Sequence, residues 1–166
     1  MKRRKAITLT PEEERQFLEE SHTIILSTID RHGYPHSVAM WYVADPDGTV
    51  LMTTFAKSQK AVNLRRDHRI ACSVEAGESY DQLRGVAIEG NGVLIEDTDD
   101  DQYWAAAVSV FERYQAPYSD EMRPVVETMM HKRVVVRIDP VRVRSWDHRK
   151  LGLAPLPVGG STARFL

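Results

Sequence analysis

Two short connections early in the chain restrict its fold more than any other feature. Apolar stretches at residues 23–29, 35–43 and 49–54 have the character of β-strands. An Arg-His-Gly turn at residues 31–33 joins the first two, and an Asp-Pro-Asp-Gly turn at residues 45–48 joins the last two. Parallel strands need a crossover of about a dozen residues or more. The three strands are therefore expected to pair antiparallel as a meander, which disfavours a doubly wound α/β fold.

The remaining pattern adds helices and further strands. A Thr-Pro-Glu-Glu sequence at residues 10–13 predicts a capped helix that runs to about Glu20. Further helices are predicted at residues 59–66, between a cap at Thr98 and a break at Pro117, and at residues 120–131. Further strands are predicted around residues 70–74, at residues 83–95, and at residues 134–138 and 141–145 with an interruption at Pro140. Six or seven curved antiparallel strands with peripheral helices predict a mainly β, small-barrel fold.

Size and charge narrow the functional classes. The 166 residues, 42% of them hydrophobic, suit one domain with a sizeable core. We expect that domain to span residues 1–152, with a loosely ordered tail at residues 153–166. A net charge of −2 argues against nucleic acid as the main partner, and no apolar run approaches the roughly 20 residues that span a bilayer. The single cysteine, Cys72, excludes an internal disulfide framework and favours a cytoplasmic protein, and its alternation with Ile70 and Val74 predicts a buried, inert thiol.

The chemistry is concentrated at residues 53–64, where a strand leads into a short helix. Lys57, Ser58 and Lys60 occupy the start of that helix, and Ser58 is a plausible N-cap. A helix start carries unpaired N–H groups and the positive end of the macrodipole, so it stabilises an anion. The residues predict a phosphate site as readily as a solvated helix start. No metal site is expected, because His32 and His36 flank a Gly-Tyr-Pro turn rather than lie on a helix.

Several short motifs, in a particular order, resemble those of one protein family. They are Gly33-Tyr34-Pro35, Lys57-Ser58-Gln59-Lys60, Asn63-Leu64, Asp67-His68-Arg69, Leu83-Arg84-Gly85-Val86, Glu89-Gly90 and Ser145-Trp146-Asp147. Over residues 8–152 the chain resembles the pyridoxamine-phosphate-oxidase-like split β-barrel flavoproteins. Within them it is most similar to the actinobacterial branch that uses the deazaflavin coenzyme F420.

The resemblance implies a homodimer with two cofactor sites at its interface, each lined by both protomers and acting on a small molecule. The cofactor ring is expected to lie against Val38, Ala39, Met40 and Trp41 on one side and Thr53, Thr54, Phe55 and Ala56 on the other. The phosphate is expected at Lys57, Ser58 and Lys60, with Asn63 supporting the turn. The partner protomer is expected to contribute Tyr80, Arg84, Trp146 and Lys150. Tyr80 and His148 are the candidates for a proton donor.

Two departures from the family pattern bear on the reaction. The arginine-rich substrate motif of true pyridoxamine phosphate oxidases is missing after Trp146, so vitamin B6 oxidation is not expected. The flavin mononucleotide (FMN) binders often carry Arg-Lys where this chain has Ala56-Lys57, which favours F420 over FMN. The expected function is hydride transfer between reduced F420 and a small conjugated substrate. Two alternatives stay open: an FMN-dependent oxidase or reductase, and a non-catalytic carrier of F420, flavin or haem.

Coenzyme F420 also carries an acidic oligoglutamate tail, which requires positive charge beyond one phosphate site. The expected track consists of Lys57, Lys60, Arg65, Arg66 and the N-terminal Lys2-Arg3-Arg4-Lys5. Exposed contacts of this kind contribute about 0.2–1 kcal/mol each and weaken with salt.

Overall fold

A computed structural model of the chain describes residues 3–45 and 47–157 and contains one seven-stranded sheet. The strands are β1 Ile24–Ile29, β2 Pro35–Met40, β3 Val43–Ala44, β4 Val50–Phe55, β5 Arg69–Ala76, β6 Arg84–Ile95 and β7 Arg133–Asp147. Their order across the sheet is β2-β1-β5-β6-β7-β4-β3, and every neighbouring pair is antiparallel. The expected mainly β, antiparallel fold is confirmed.

The predicted continuous strand at residues 35–43 is wrong, and its interruption opens the barrel. Met40 is the last residue of β2, and β3 begins at Val43 on the opposite edge of the sheet. The Tyr42 side chain is fully buried, and its hydroxyl donates a hydrogen bond to the carbonyl of Leu18 at 2.6 Å. Because only two residues join the two edges, the sheet has to curl until those edges lie close together. The result is a half-barrel that is split between β2 and β4.

The helices are α1 Arg3–Ala6, α2 Pro11–Glu20, α3 Gln59–Arg66, α4 Asp101–Tyr114 and α5 Arg123–Met130, with 3₁₀ turns at Asp120–Met122 and His148–Leu151. The capping box that begins α2 is confirmed, since Thr10 and Glu13 exchange side-chain hydrogen bonds with each other's backbone N–H. The predicted cap at Thr98 is wrong: Asp100 caps α4 by accepting from the backbone N–H of Gln102. The predicted helix at residues 120–131 is shorter than expected.

Two clusters of buried side chains form the core, one on each face of the sheet. Inside the curl, Leu26, Met52 and Val136 pack with Phe17 and Leu18 of α2. Outside it, α4 and α5 cover the part of the sheet formed by β4, β7 and the end of β6. The outer face of β2, β1 and β5 has no such cover among the described residues. There, a row of small and apolar side chains crosses four paired strands: Ala39, Ile25, Ser73 and Ala87.

A β-bulge at Val141 of β7, opposite Glu89 and Gly90, lets the two longest strands curve together. The pairing of β6 with β7 shifts between Glu89 and Gly90, opposite Pro140. A Cβ atom on Gly90 would lie 2.3 Å from the carbonyl oxygen of Asp139, so a side chain does not fit. The predicted interruption at Pro140 takes the form of this bulge, where the register shifts while β7 continues past the proline. None of the helices in residues 3–45 and 47–157 is long and apolar enough to cross a membrane.

Candidate cofactor site

The split places both groups of residues that are predicted to line a cofactor ring on the borders of one gap. The pairing of β3 with β4 ends at Val43 opposite Leu51, and from Met52 onward β4 pairs only with β7. On the other side, β2 pairs only with β1. The predicted residues Val38, Ala39 and Met40 therefore border the gap from β2, and Thr53, Thr54, Phe55 and Ala56 border it from β4 and the following turn. Trp41 lies where the borders converge, exposed and stacked on Tyr114 at 4.6 Å between ring centroids.

The side chains on these borders differ in where they point. Val38 and Met40 are half-buried, whereas Ala39 between them is exposed on the outer face of the sheet. Thr54 is buried, and its hydroxyl lies 3.1 Å from that of Ser58. Phe55 is exposed, so its ring is available at the edge of the gap. Thr54 therefore supports the turn, while Phe55 is open to a ligand.

Ser58 caps α3 as the sequence predicts. Its hydroxyl accepts a hydrogen bond from the backbone N–H of Ala61 at 3.4 Å. The backbone N–H groups of Gln59 and Lys60 have no acceptor among the described residues, as is usual in the first turn of a helix. The Ser58 hydroxyl is thus occupied by the cap and by Thr54. The unpaired backbone donors remain for an anion.

Asn63 anchors α3 to the sheet from inside the core. It is fully buried, and its Nδ2 donates to the hydroxyl of Thr28 on β1 at 2.9 Å. Its Oδ1 accepts from Nε2 of Gln59 at 2.8 Å, one turn earlier in α3. These two hydrogen bonds tie α3 to β1 and to its own first turn.

Three cations meet at this helix start without an acidic partner. Lys57 is exposed and Lys60 half-buried, and the guanidinium of Arg133 lies 4.2 Å from the centroid of the Phe55 ring. Ion pairs elsewhere in the described chain involve none of the three. Burial, together with the charge of Arg133, lowers the pKa of Lys60. Arg133 was missed from the sequence, because only the pairing of Phe55 with Arg133 brings it here.

Two arginines of the expected basic track, Arg65 and Arg66, have partners within the chain. Arg65 donates to Glu96 at 2.9 Å and to the carbonyl of Ala56 at 2.8 Å, so it braces the turn before α3. Arg66 donates to the carbonyl of Ile29. The N-terminal segment pairs with the far end of β7, where Ile7 accepts from the N–H of Asp147. Residue 2 and the side chains of residues 3 and 4 lie outside the described part of the chain.

The residues expected from the partner protomer form a second cluster at the opposite end of β6 and β7. Tyr80 and His148 are in ring contact, and the carbonyl of Tyr80 lies 2.7 Å from Nδ1 of His148. Lys150 donates to the carbonyl of Thr8, and Arg84 lies over the Phe17 ring. Trp146 packs against Gly85, where a Cβ would lie 2.4 Å from the indole ring.

Within one protomer, the second cluster is remote from α3. The 12 residues of β6 separate Arg84 from Ile95, which pairs beside the start of β7. At about 3.3 Å per residue this is about 36 Å along the strand. One protomer therefore does not bring Tyr80, Arg84, Trp146, His148 or Lys150 to the start of α3. Groups of three His, Cys, Asp or Glu side chains that could hold a metal ion are not found in residues 3–45 and 47–157.

Comparison with known proteins identifies the fold family. A sequence model of the pyridoxamine 5'-phosphate oxidase family matches residues 10–147, most of the chain. The chain belongs to that family. The matched region contains the split, the helix start with Lys57 and Lys60, and most of the remote cluster. The resemblance found from the short motifs is thus confirmed.

Three relatives show how the chain compares with individual members. It is 50% identical to the conserved hypothetical protein Rv2991 from Mycobacterium tuberculosis, whose crystal structure superposes with a TM-score of 0.91 over 98% of this chain and all of that chain. It is 29% identical over 117 residues to an F420H(2)-dependent biliverdin reductase from Mycobacterium tuberculosis (strain CDC 1551 / Oshkosh), covering 70% of this chain and 80% of that protein. The structure of a protein described as an F420 reductase shares the fold, with a TM-score of 0.60 and 23% identity over 81% of this chain and 98% of that one.

Proposed function

We propose that this protein is an oxidoreductase that transfers hydride between reduced coenzyme F420 and a small conjugated organic substrate. The observation that carries the proposal is the start of α3, where Lys57 and Lys60 stand beside two unpaired backbone N–H groups and no carboxylate. A cofactor with an anionic chain suits that arrangement, since the helix start attracts negative charge. The relative that is an F420H(2)-dependent biliverdin reductase supports F420 over other cofactors of the fold.

The residues present fit the anionic part of such a cofactor. Burial and, to a smaller extent, the charge of Arg133 lower the pKa of Lys60, and a bound anion offsets both effects. The gap between β2 and β4 leads from this site along the exposed Phe55 ring. A planar ring therefore has an apolar border next to the anion site. FMN also carries a phosphate, so the same geometry supports the FMN-dependent alternative.

The protein groups supply position and electrostatics. When bound, the deazaflavin supplies a ring carbon that accepts or donates hydride. Lys57, Lys60 and the N–H groups of α3 hold the anionic chain, and Asn63 keeps that helix in place through Thr28. Val38 and Met40 present apolar side chains that exclude water from one side of the gap. Because the anionic chain is held in a fixed position, the cofactor ring is oriented towards the substrate.

The proposal includes a homodimer. The remote cluster with Tyr80 and Arg84 lies at one end of β6, a strand about 36 Å long whose other end lies nearer α3 in the same protomer. The uncovered outer face of β1, β2 and β5 carries small and apolar side chains, including the exposed Ile25. A second copy packed on this face supplies its own Tyr80, Arg84, Trp146 and Lys150 to the gap. His148 and Tyr80, already in contact, are then the groups placed to donate a proton.

The decisive experiment is the double variant Lys57→Ala/Lys60→Ala. It is expected to weaken F420 binding at least tenfold, or about 1.4 kcal/mol, in a fluorescence titration of the purified protein. The control Arg15→Ala/Arg142→Ala removes two positive charges from exposed ion pairs elsewhere and should leave the affinity unchanged. An unchanged affinity in the lysine variant removes this site from consideration.

Parallel titrations separate the alternatives. Tighter binding of FMN than of F420 favours the FMN-dependent enzyme. Reduced F420 that binds but is never oxidised by a broad panel of enones and quinones favours a non-catalytic carrier. Oxidation of reduced F420 by a member of that panel, followed by its visible absorbance, supports the proposed reductase.

A further inference from the structure

Arg133 differs from every other arginine of β7 in lacking an acidic partner. Arg137 donates to Asp139 at 2.9 Å, and Arg142 and Arg144 both pair with Glu89. Arg133 has no carboxylate within ion-pair distance among the described residues, and its charge is held against the Phe55 ring instead. Three arginines of this strand therefore have a structural explanation in the protomer, and the fourth does not.

The Nε–H group of Arg133 is also unsatisfied. It is buried and has no hydrogen-bond acceptor among the described residues. A buried donor without an acceptor destabilises a fold, and a charged one more so. The arginine moreover repels the neighbouring Lys60. Two unfavourable features at one residue, beside an anion site, indicate that the missing partner is an anion that this chain does not supply.

We propose that Arg133 binds the same anionic group as Lys57 and Lys60, closing the site from the β7 side. This rests on the proposed function, in which the start of α3 holds the anionic part of a ligand. The group is an oxyanion, phosphoryl or carboxylate, because a guanidinium matches two such oxygens with two parallel N–H groups. Arg133 also lines a cleft of about 440 Å³ with Asp99, Tyr103 and Glu127, and neither of these carboxylates lies within ion-pair distance of it.

The neighbouring backbone supports this position. The carbonyl of Lys132 accepts the N–H of Ala56 at 2.8 Å, and Arg133 pairs with Phe55 across the two strands. These contacts fix the start of β7 to the turn that carries Lys57. The anion site is thus formed by two segments, residues 55–60 and 132–133, that are far apart in sequence. A ligand bound there links them.

The test measures binding of inorganic phosphate, triglutamate and F420 to the wild type and to Arg133→Gln and Arg133→Lys. Arg133→Gln is expected to weaken binding of the preferred oxyanion at least tenfold. The affinity of Arg133→Lys should lie between those of Arg133→Gln and the wild type, because lysine keeps the charge but loses the planar pair of donors. The control Arg142→Gln changes the same strand nine residues further on, where the arginine pairs with Glu89, and should bind like the wild type. Phosphate preferred over triglutamate identifies a phosphoryl group, and the reverse identifies a carboxylate.

A second readout distinguishes ligand binding from a structural role. The pKa of the Lys60 amine, followed by NMR of its ε-carbon, should rise in ligand-free Arg133→Gln and should rise in the wild type on oxyanion addition. The inference is overturned if Arg133→Gln binds the preferred oxyanion within twofold of the wild-type affinity. It is also overturned if the wild type binds neither phosphate nor triglutamate. If F420 binds and Arg133→Gln has no effect on any of the affinities, the proposed function is retained and the inference about Arg133 is rejected. An Arg133-dependent oxyanion site that does not bind F420 supports the inference and defeats the proposed function.

Discussion

The hydrogen bond between Thr28 and Asn63 offers a sharp test of how α3 is anchored. Thr28→Val keeps the shape of the side chain but removes the acceptor of Asn63 Nδ2, and both residues are fully buried. The amide then has an unpaired buried donor, which costs about 1–3 kcal/mol. Asn63→Ala loses two hydrogen bonds, at about 0.5–1.5 kcal/mol each, and also leaves a cavity. In a chain of this size each kcal/mol lowers Tm by about 2–4 °C.

The double variant Thr28→Val/Asn63→Ala has no unpaired amide at this position. Its loss of stability should therefore be smaller than the sum of the two single losses by about 1 kcal/mol or more. The measurement is thermal and urea unfolding followed by circular dichroism, at one fixed protein concentration so that any association contributes equally. If the two single losses of stability add up to the loss in the double variant within about 0.5 kcal/mol, the assigned hydrogen bond is refuted. F420 affinity should fall in Asn63→Ala as well, because the helix start is no longer held.

Three other outcomes are expected. Lys60→Met should stabilise the ligand-free protein at pH 7, because burial and Arg133 lower the pKa of Lys60 in the folded state. The unfolded chain then binds more protons than the folded one, so the stability of the wild type should rise towards that of the variant as the pH approaches the ordinary lysine pKa. A stability difference between the two proteins that does not change with pH contradicts this. Gly90→Ala should lose about 1–3 kcal/mol in urea unfolding, since its Cβ would lie 2.3 Å from the Asp139 carbonyl; a neutral effect would disprove the tight bulge. Burial raises the pKa of Cys72 to about 12, so thiol reagents at pH 8 should label it only after unfolding, and rapid native labelling speaks against this.

The features predicted well from sequence depend on neighbours along the chain. The capping box at Thr10 and the Ser58 cap each involve residues within three positions of one another. The turns that contain Gly33 and Gly48 are predictable for the same reason, and both glycines adopt the positive φ that such turns need. A local prediction is wrong where two candidates compete, as at Thr98 and Asp100.

The errors and omissions concern residues whose position depends on strand pairing. Nothing in the alternation of residues 35–43 indicates that Trp41 and Tyr42 leave the sheet, because the Tyr42 hydroxyl finds its partner in Leu18 of a different element. Arg133 reaches Phe55 across a register between segments nearly 80 positions apart. The separation of Tyr80 and Arg84 from α3 likewise follows from the length and direction of β6.

By itself, the sequence determined the antiparallel pairing and the positive helix start at Lys57 and Lys60. Both follow from short-range geometry: tight turns reverse the chain, and a capped helix exposes its first N–H groups. The tertiary structure alone decided where the barrel splits and which other cation joins the site. Those outcomes depend on the curvature and register of the whole sheet, which set the distance between residues remote in sequence and are encoded in no single segment.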